Sequence, residues 1–283
     1  MKPGIGSQTA VLVCTARAMA HGTTPVAKFS DPTALPLLPE DVRARVERFR
    51  SGAAPKTRRE RIERAFLQKR ASMMVARTVA IDEAVRAASS TQLVILGAGY
   101  DGRAWRMAEL ANTVVFEVDH PDTQREKRPR TAALQKCARE VRFVPVDFSR
   151  DDLDEALAAA GHDVTRPTTW IWEGVVMYLE RADIEATLAI LARRSATGSR
   201  LTIAYISPAW IRWLAGLAVR RLGEPFRSVF TPGAMRALLA PYGFRILDDR
   251  DIRTIAHALS PALGRDARAM KHLRVVTAEK LGA

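Results

Sequence analysis

A short apolar run that ends in a glycine-rich turn is the feature that most constrains how this chain can fold. The run at 92–96 leads into Gly97 and Gly99, and a second apolar run, at 113–118, leads into Asp119. A short apolar segment bounded by glycine predicts a buried β-strand, and the glycines let a ligand approach the backbone because they carry no Cβ atom. An acid about 20 residues beyond such a turn is suited to holding the two hydroxyls of a ribose. The layout therefore predicts a nucleoside-binding site.

From residue 89 onwards, apolar strands alternate with helical segments. Strands are predicted at about 92–97, 113–118, 141–146, 168–173 and 200–205, and helices at about 103–110, 121–138, 151–160 and 182–194. After a helix that begins near Pro232, two further strands, at about 244–250 and 271–278, are expected to be antiparallel. This order predicts an α/β fold with a doubly wound, Rossmann-like sheet that is mostly parallel and has an antiparallel C-terminal edge.

Residues suited to ligand binding stand at the ends of several predicted strands. Gly97, Asp119, Asp147 and Glu173 each end a successive strand. In doubly wound sheets, ligands bind at the carboxyl ends of the strands. We therefore expect these four residues to meet along one cleft.

Residues 1–88 are predicted to form an N-terminal arm and a helical lid, and residues 89–283 to form the core. The first thirty residues show little periodicity, and the prolines that follow them indicate an arm laid across the body rather than a domain. A helix is expected to begin at about Glu40. Residues 58–88 show a helical apolar face, whose alanine-rich second half is also compatible with a separate helix. A tryptophan-rich insert at 206–230 is predicted to close over the substrate.

Composition argues against several classes of protein. The formal net charge is +13, but most of the cations are scattered or lie near acids, and their local clusters lack aromatic residues, so nucleic-acid binding is not expected. The two cysteines show neither a disulfide framework nor a metal-ligand spacing with the five histidines. No segment reaches the roughly 18 uninterrupted apolar residues of a membrane span. We therefore expect a cytoplasmic protein without a metal site.

The glycine turn formally matches the fingerprint of a dinucleotide site, so an NAD-dependent oxidoreductase is the first alternative. Asp101, however, stands inside the turn, where it would repel two phosphate charges. The Tyr and Lys pair, four residues apart, that a short-chain dehydrogenase needs is missing from the sequence. S-adenosylmethionine carries no phosphate, and its sulfonium and amino groups are cationic, so acids at successive strand ends favour it. We expect this cofactor, with S-adenosylhomocysteine as the product.

Four segments, in order along the chain, carry a resemblance to a known family. They are Leu96–Arg106, Phe116–Pro121, Val144–Phe148 and Trp170–Leu179. They resemble the successive motifs of the leucine carboxyl methyltransferase family, a branch of the class I S-adenosylmethionine-dependent methyltransferases that includes many bacterial enzymes of secondary metabolism. The resemblance runs from about Ala71 to Asp248. It implies a methyltransferase fold and transfer of a methyl group.

The resemblance also implies roles for individual residues. Arg77 matches the arginine that holds the cofactor carboxylate in the family, Asp119 the ribose acid, and Glu173 the acid for the cofactor amino group. Asp147 and Phe148 match the pair on the adenine side. The predicted cofactor-binding residues are Arg77, Gly97, Ala98, Gly99, Asp101, Arg103, Asp119, His120, Asp147, Phe148 and Glu173.

Some of these positions have a second interpretation. Asp101 is equally suited to capping the next helix, and Arg103 to pairing with Asp101 instead of supporting the cofactor carboxylate. Asp147 is also suited to capping the helix that starts near Asp151. Gly102 departs from the family pattern, because many members carry threonine there, and a looser turn is the expected consequence.

The reaction favoured by the sequence is O-methylation of a small-molecule carboxylate. A carboxylate is already ionised at neutral pH, with a reference pKa near ~4, so no general base is required. No catalytic residue is assigned, which fits the lack of a His or Lys constellation. The candidate substrate-contacting residues are Tyr178, Tyr205, Trp210, Trp213, Phe226 and Phe230. The alternatives are a catalytically silent cofactor-binding partner protein and a methyltransferase acting on protein or nucleic acid. The sequence indicates neither the acceptor nor the oligomeric state.

Overall fold

The computed structural model describes residues 7–148, 150–208 and 226–282, and within these ranges seven strands form one sheet. The strands are β1 (Gln92–Leu96), β2 (Val114–Asp119), β3 (Glu140–Pro145), β4 (Thr168–Trp172), β5 (Arg200–Ile206), β6 (Phe244–Asp251) and β7 (Leu273–Lys280). Their order across the sheet is β3-β2-β1-β4-β5-β7-β6. The first five are parallel, and β7 is antiparallel to both β5 and β6. The predicted fold class is confirmed.

Helices cover both faces of this sheet. They are α1 (Gln8–Ala20), α2 (Ala34–Leu37), α3 (Glu40–Arg50), α4 (Arg58–Ala88), α5 (Arg103–Arg106), α6 (Pro121–Thr131), α7 (Leu153–Ala159), α8 (Arg181–Arg193), α9 (Pro232–Leu239), α10 (Ile252–Leu259) and α11 (Pro261–Asp266). Short 3₁₀ helices follow at Ala108–Leu110, Val176–Tyr178 and Ala240–Tyr242. In the described part of the chain, no helix combines the length and the apolar composition needed to cross a membrane.

The sheet separates two apolar cores, because successive side chains of a strand point to opposite faces. On β1, Leu93 and Ile95 join the core that contains α1 and α4, whereas Val94 and Leu96 join the core that contains α7 and α8. All five residues of β1 are buried. The strand order reverses on either side of β1, and this switch point is where a doubly wound sheet opens a cleft.

The N-terminal arm contains a helix that the sequence did not reveal. Helix α1 starts at Ser7, whose side chain accepts a hydrogen bond from the Ala10 N–H, and every residue from Cys14 to Ala20 is buried. A helix that is buried all round lacks the polar face on which periodicity depends. The sequence predicted an arm here and did not predict this helix.

Two helix boundaries also differ from the expected ones. Residues 58–88 form one continuous helix, α4, which Thr57 caps and Ser89 ends in a left-handed conformation, so there is no separate alanine-rich helix. Helix α6 stops at Thr131 instead of 138, and beyond it the backbone N–H groups of Cys137 and Ala138 donate to the Ala104 carbonyl oxygen.

Candidate cofactor site

A cleft of about 1240 Å³ lies at the carboxyl ends of β1, β2 and β4. Residues of helix α1 and of α8 contribute to its lining. The predicted residues that line it are Arg77, Gly97, Ala98, Gly99, Asp101, Asp119, His120, Asp147, Phe148, Glu173 and Tyr178. The structure thus brings together ten of the eleven predicted cofactor-binding residues.

Gly97 and Gly99 shape the floor of the cleft. Both have left-handed backbone conformations, with φ of +66° and +49°. A Cβ atom on Gly97 would overlap Cγ2 of Val175, and one on Gly99 would lie 2.9 Å from Cβ of Ala10 in α1. The turn is therefore closely covered on one side by the segment after β4 and on the other by the N-terminal helix, and only glycine fits both the conformation and the space.

Asp119 is held at the end of β2 by backbone groups. Its carboxylate accepts hydrogen bonds from the N–H of Gly99 and, at 2.6 Å, from the N–H of His120. Burial raises the pKa of Asp119, and these two backbone donors oppose the shift. The carboxylate is thereby fixed next to the glycine turn.

The residues beyond β2 and β3 have distinct roles. His120 caps α6, because its Nδ1 accepts a hydrogen bond from the Asp122 N–H at 3.2 Å. Helix α7 is capped by Asp152, which answers the alternative that Asp147 serves as its cap. Asp147 instead lies in the cleft wall, with its Oδ2 3.8 Å from Nε2 of His120.

A buried charge network underlies the cleft. Arg103 is 0% exposed and contacts three carboxylates: Asp101, Asp82 at 2.8 Å and Glu173 at 3.1 Å. Glu173 also pairs with Nε of Arg77 at 2.7 Å. Burial alone would raise the pKa values of Asp101 and Glu173, but the neighbouring guanidinium groups lower both, that of Asp101 to about 2. Both acids are therefore ionised at neutral pH.

The open interpretations of Asp101 and Arg103 are settled by this network. Asp101 Oδ1 accepts a hydrogen bond at 2.8 Å from the N–H of Arg103, the first residue of α5, while Asp101 also lines the cleft; the N-cap position itself is Gly102. Arg103 pairs with Asp101 and is not among the described residues that line the cleft. Its predicted direct contact with the cofactor is therefore replaced by a role in positioning the acids.

The part of the chain that forms the cleft matches a known protein family. The family model described as leucine carboxyl methyltransferase matches residues 10–192, which is more than half of the chain. The protein belongs to the leucine carboxyl methyltransferase family. The family assignment predicted from the four motifs is confirmed.

Relatives of this protein occur in Streptomyces coelicolor and Mycolicibacterium paratuberculosis. A Streptomyces coelicolor protein named "Putative S-adenosyl-L-methionine-dependent methyltransferase" is 39% identical to it over 168 residues. This aligned segment covers 57% of this chain and 56% of that protein. A Mycolicibacterium paratuberculosis protein of the same name is 37% identical over 202 residues, covering 70% of this chain and 65% of that one. The matched part thus spans between half and two thirds of these relatives' lengths.

The fold has counterparts among solved structures. The crystal structure of a DUF574 family protein from Streptomyces avermitilis has a TM-score of 0.57 and 12% sequence identity, covering 97% of this chain and 98% of that chain. At this identity the likeness concerns the fold alone.

Arg17 is a cleft residue of this family member that sequence reasoning missed. It lies on α1, is 4% exposed, and its Nη2 donates to the Tyr100 carbonyl oxygen at 2.5 Å. Its Nε lies 3.0 Å from Asp31 Oδ2. The available signal was a single arginine inside the apolar run of α1, since a buried charge normally has a specific partner.

At Gly102, where the sequence departs from the family pattern, the N-terminal segment occupies the space that a side chain would need. A Cβ atom on Gly102 would overlap the side-chain oxygen of Thr33. The Thr33 hydroxyl donates to Asp31 Oδ1 at 2.7 Å. The side chain of Thr33 thus fills the space beside Gly102.

The six candidate substrate residues differ in where the structure places them. Tyr178 lines the cleft, and its ring stacks on Phe226 with centroids 5.5 Å apart. Tyr205 and Phe230 are buried in the core on the α8 side of the sheet, where the Tyr205 hydroxyl donates to Asp249 at 2.7 Å. Neither is among the described residues that line the cleft. The prediction that Tyr205 and Phe230 form walls of the substrate site was therefore wrong. Trp210 and Trp213 lie outside the described residues.

The cleft fits the amino-acid end of S-adenosylmethionine. Arg77 Nη2 is buried and has no hydrogen-bond partner among the described residues. Arg77 faces the cleft, so this donor is suited to a carboxylate, while Glu173 beside it is suited to an ammonium group. Neighbouring positive and negative side chains of this kind match a zwitterion.

Proposed function

We propose that this protein is an S-adenosylmethionine-dependent methyltransferase that esterifies a carboxylate of a small metabolite. The observation that carries the proposal is that one cleft is lined both by the ion pair of Arg77 with Glu173 and by Asp119. This arrangement provides separate partners for a zwitterionic amino acid and for a ribose. When bound, the cofactor supplies a methyl group on a sulfonium for in-line transfer. The family membership and the names of the relatives support methyl transfer from S-adenosylmethionine, and the carboxylate acceptor is what the proposal adds.

The proposal assigns separate roles to the cofactor-binding residues of the cleft. Asp119 accepts the ribose hydroxyls, and its two backbone donors keep it in place. Arg77 binds the carboxylate and Glu173 the ammonium group. The lack of a side chain on Gly97 and Gly99 allows close approach to the backbone. Asp147 and Phe148 form the adenine side.

The geometry of α5 disfavours a dinucleotide. A pyrophosphate site needs free N–H groups at the start of the helix that follows the glycine turn. Here Asp101 already accepts the hydrogen bond of the Arg103 N–H, and the helix is only four residues long. A phosphate at that position would meet an ionised carboxylate instead of free donors.

A carboxylate acceptor suits this cleft because it needs no proton removal. The one imidazole among the described cleft residues is that of His120, whose Nδ1 is used to cap α6. A carboxylate has a reference pKa near ~4 and is ionised at neutral pH. The protein's work is then to orient the acceptor and exclude water.

Calorimetry on the native protein and on Asp119→Ala tests the cofactor assignment. We expect S-adenosylmethionine and S-adenosylhomocysteine to bind the native protein and NAD not to bind. Loss of the ribose hydrogen bonds should weaken the binding of both sulfur nucleosides by about 1–3 kcal/mol. Asp163→Ala, which removes a partly exposed acid that is not among the described residues lining the cleft, is the control and should bind normally.

The outcomes separate the alternatives. Preference for NAD would contradict the methyltransferase assignment. Cofactor binding without turnover on any acid in a metabolite panel would favour a catalytically silent partner protein. Tight, salt-sensitive binding of RNA or DNA would favour a macromolecular acceptor.

Helix α1 is further proposed to act as a lid over the bound cofactor. It supplies Ala10, Val13 and Arg17 to the cleft and lies against the glycine turn. In Arg17→Lys the charge beside Asp31 is kept, but the bond to the Tyr100 carbonyl oxygen is lost. We expect S-adenosylhomocysteine to dissociate several-fold faster from this variant in stopped-flow measurements. An unchanged dissociation rate would argue against the lid.

A further inference from the structure

The N-terminal half of helix α4 exposes two large apolar side chains at the protein surface. Ile62 is 61% exposed and Phe66 is 48% exposed. Because residues four positions apart in a helix are neighbours on its surface, the two side chains lie on the same face. A single exposed apolar residue is ordinary, whereas neighbouring ones form a patch that is suited to binding a partner.

Exposed cations flank this apolar patch along the helix. Arg58 and Arg59 precede Ile62 by four and three residues, and Lys69 follows Phe66 by three, so all five side chains share one side of α4. The three cations are exposed, and none of them has an acidic partner in the part of the chain that the structure describes. We call these five residues the basic face of α4.

The acids in this half of α4 lie on the opposite side of the helix. Glu60 pairs with Arg48 and Glu63 with Arg45, each at 2.8 Å, and both arginines belong to α3. Leu67, on the same side as these acids, is buried. The contacts with α3 thus neutralise the inner side of α4 and leave the basic face with positive charge and apolar side chains together.

We infer that the basic face of α4 docks on the surface of an anionic lipid bilayer. A helix lying in the plane of a membrane inserts its apolar side chains at the boundary between headgroups and acyl chains, while flanking Lys and Arg side chains meet the lipid phosphates. Ile62 and Phe66 are the inserted pair, and Arg58, Arg59 and Lys69 supply the charge. This binding goes beyond the proposed methyl transfer and does not depend on the acceptor.

The charge and shape of the basic face favour a bilayer over other partners. A second copy of the chain would present the same positive face, on a protein whose formal net charge is +13. Nucleic-acid bases stack on open aromatic rings, but the Arg70 guanidinium lies over the Phe66 ring, with Cζ 4.6 Å from the ring centroid. A folded partner needs a groove that matches a convex helix, whereas a fluid bilayer adapts to its shape.

Co-sedimentation of the whole chain with lipid vesicles tests the inference. We expect the native protein to bind vesicles of equal parts phosphatidylglycerol and phosphatidylcholine, not to bind phosphatidylcholine alone, and to bind more weakly as salt is added. The variant with Ile62→Ser and Phe66→Ser should lose about tenfold in affinity for the anionic vesicles, because it has no apolar pair to insert. Arg58→Gln with Lys69→Gln should lose a similar factor through weaker attraction to the lipid phosphates.

Two double variants elsewhere on the surface are matched controls. Val164→Ser with Leu247→Ser also removes two exposed apolar side chains. Arg245→Gln with Arg250→Gln also removes two positive charges, but these arginines already pair with surface acids. Both controls should bind the anionic vesicles as the native protein does. Losses as large as those of the α4 variants would overturn the inference.

Other results would also contradict docking on a bilayer. Equal binding to neutral and anionic vesicles, or native binding by the serine variant of Ile62 and Phe66, would mean that the two kinds of side chain do not act together. A dimer that this variant abolishes would assign the face to a second copy, and RNA binding tighter than vesicle binding would assign it to nucleic acid. A large fall in the urea midpoint of the same variant would mean that both side chains pack against the protein itself.

Vesicle binding and the proposed function can fail separately. None of the five residues of the basic face is among the described residues that line the cleft. Both α4 variants should therefore keep native affinity for S-adenosylhomocysteine when vesicles are absent. Loss of vesicle binding with unchanged cofactor affinity would support the basic face, and loss of both would overturn its assignment as a separate surface.

Discussion

Replacing Arg103 by methionine is expected to lower the free energy of unfolding by about 3–5 kcal/mol, because it leaves buried carboxylates without their main partner. The guanidinium contacts Asp82, Asp101 and Glu173, and all three acids are buried or nearly so. Urea unfolding followed by circular dichroism measures the loss as a lower midpoint.

The pH dependence of this loss has a defined sign. The pKa values of Asp82, Asp101 and Glu173 are lowered in the folded protein, that of Asp101 to about 2. Acids with a depressed pKa stabilise the folded state above their unfolded pKa of ~4, and this stabilisation is lost as pH falls through the folded value. The difference between native protein and Arg103→Met should therefore be full at pH 7 and shrink towards pH ~2.

A surface ion pair provides the control. Arg250 and Asp248 are both exposed and lie 2.6 Å apart, so Arg250→Met should change stability by about 0–1 kcal/mol. Equal losses in the two variants would mean that the buried network does not stabilise the fold as argued.

Replacing Arg77 by methionine should weaken S-adenosylhomocysteine binding by about 2–5 kcal/mol, as expected when one partner of a buried charge pair is truncated. The variant removes the unpaired Nη2 donor that faces the cleft and also the partner of Glu173. Calorimetry gives the change in dissociation constant directly.

A second ligand makes this prediction specific. 5′-Methylthioadenosine has the nucleoside but lacks the amino-acid end, so its affinity should be nearly the same for native protein and Arg77→Met. Arg86→Met, on the exposed part of the same helix, should bind both ligands normally. Equal weakening of both ligands in Arg77→Met would show that Arg77 supports the fold of the site and does not bind the carboxylate.

Local sequence patterns were sufficient to predict the strands of the sheet and the residues that form the floor of the cleft. Apolar runs bounded by glycine located β1 and β2 closely, because a buried parallel strand must be apolar on both faces. Gly97, Asp119 and Glu173 could be placed together from their spacing, since the carboxyl ends of neighbouring parallel strands share one edge of the sheet. The four motifs follow these strands in order along the chain, and this local order was sufficient to identify the family.

Contacts between distant parts of the chain could not be predicted from local sequence patterns. Residues 14–20 of α1 are all buried, so this part of the helix has no polar face to give a periodic pattern, and neither the helix nor Arg17 was recognised as part of the cleft. Tyr205 was expected to face a substrate, yet it packs into the core and bonds Asp249, because its direction depends on how β5 lies against its neighbours.

The succession of strands along the chain, the glycine turn and the acids at the strand ends follow from the amino-acid sequence alone, because they depend on residue type and short spacing. Three-dimensional packing, in contrast, places Arg103 beneath the cleft, puts Thr33 into the space beside Gly102 and lays α1 over the turn. These features arise between segments far apart in the chain, where burial and charge pairing, not local spacing, set the position of each side chain.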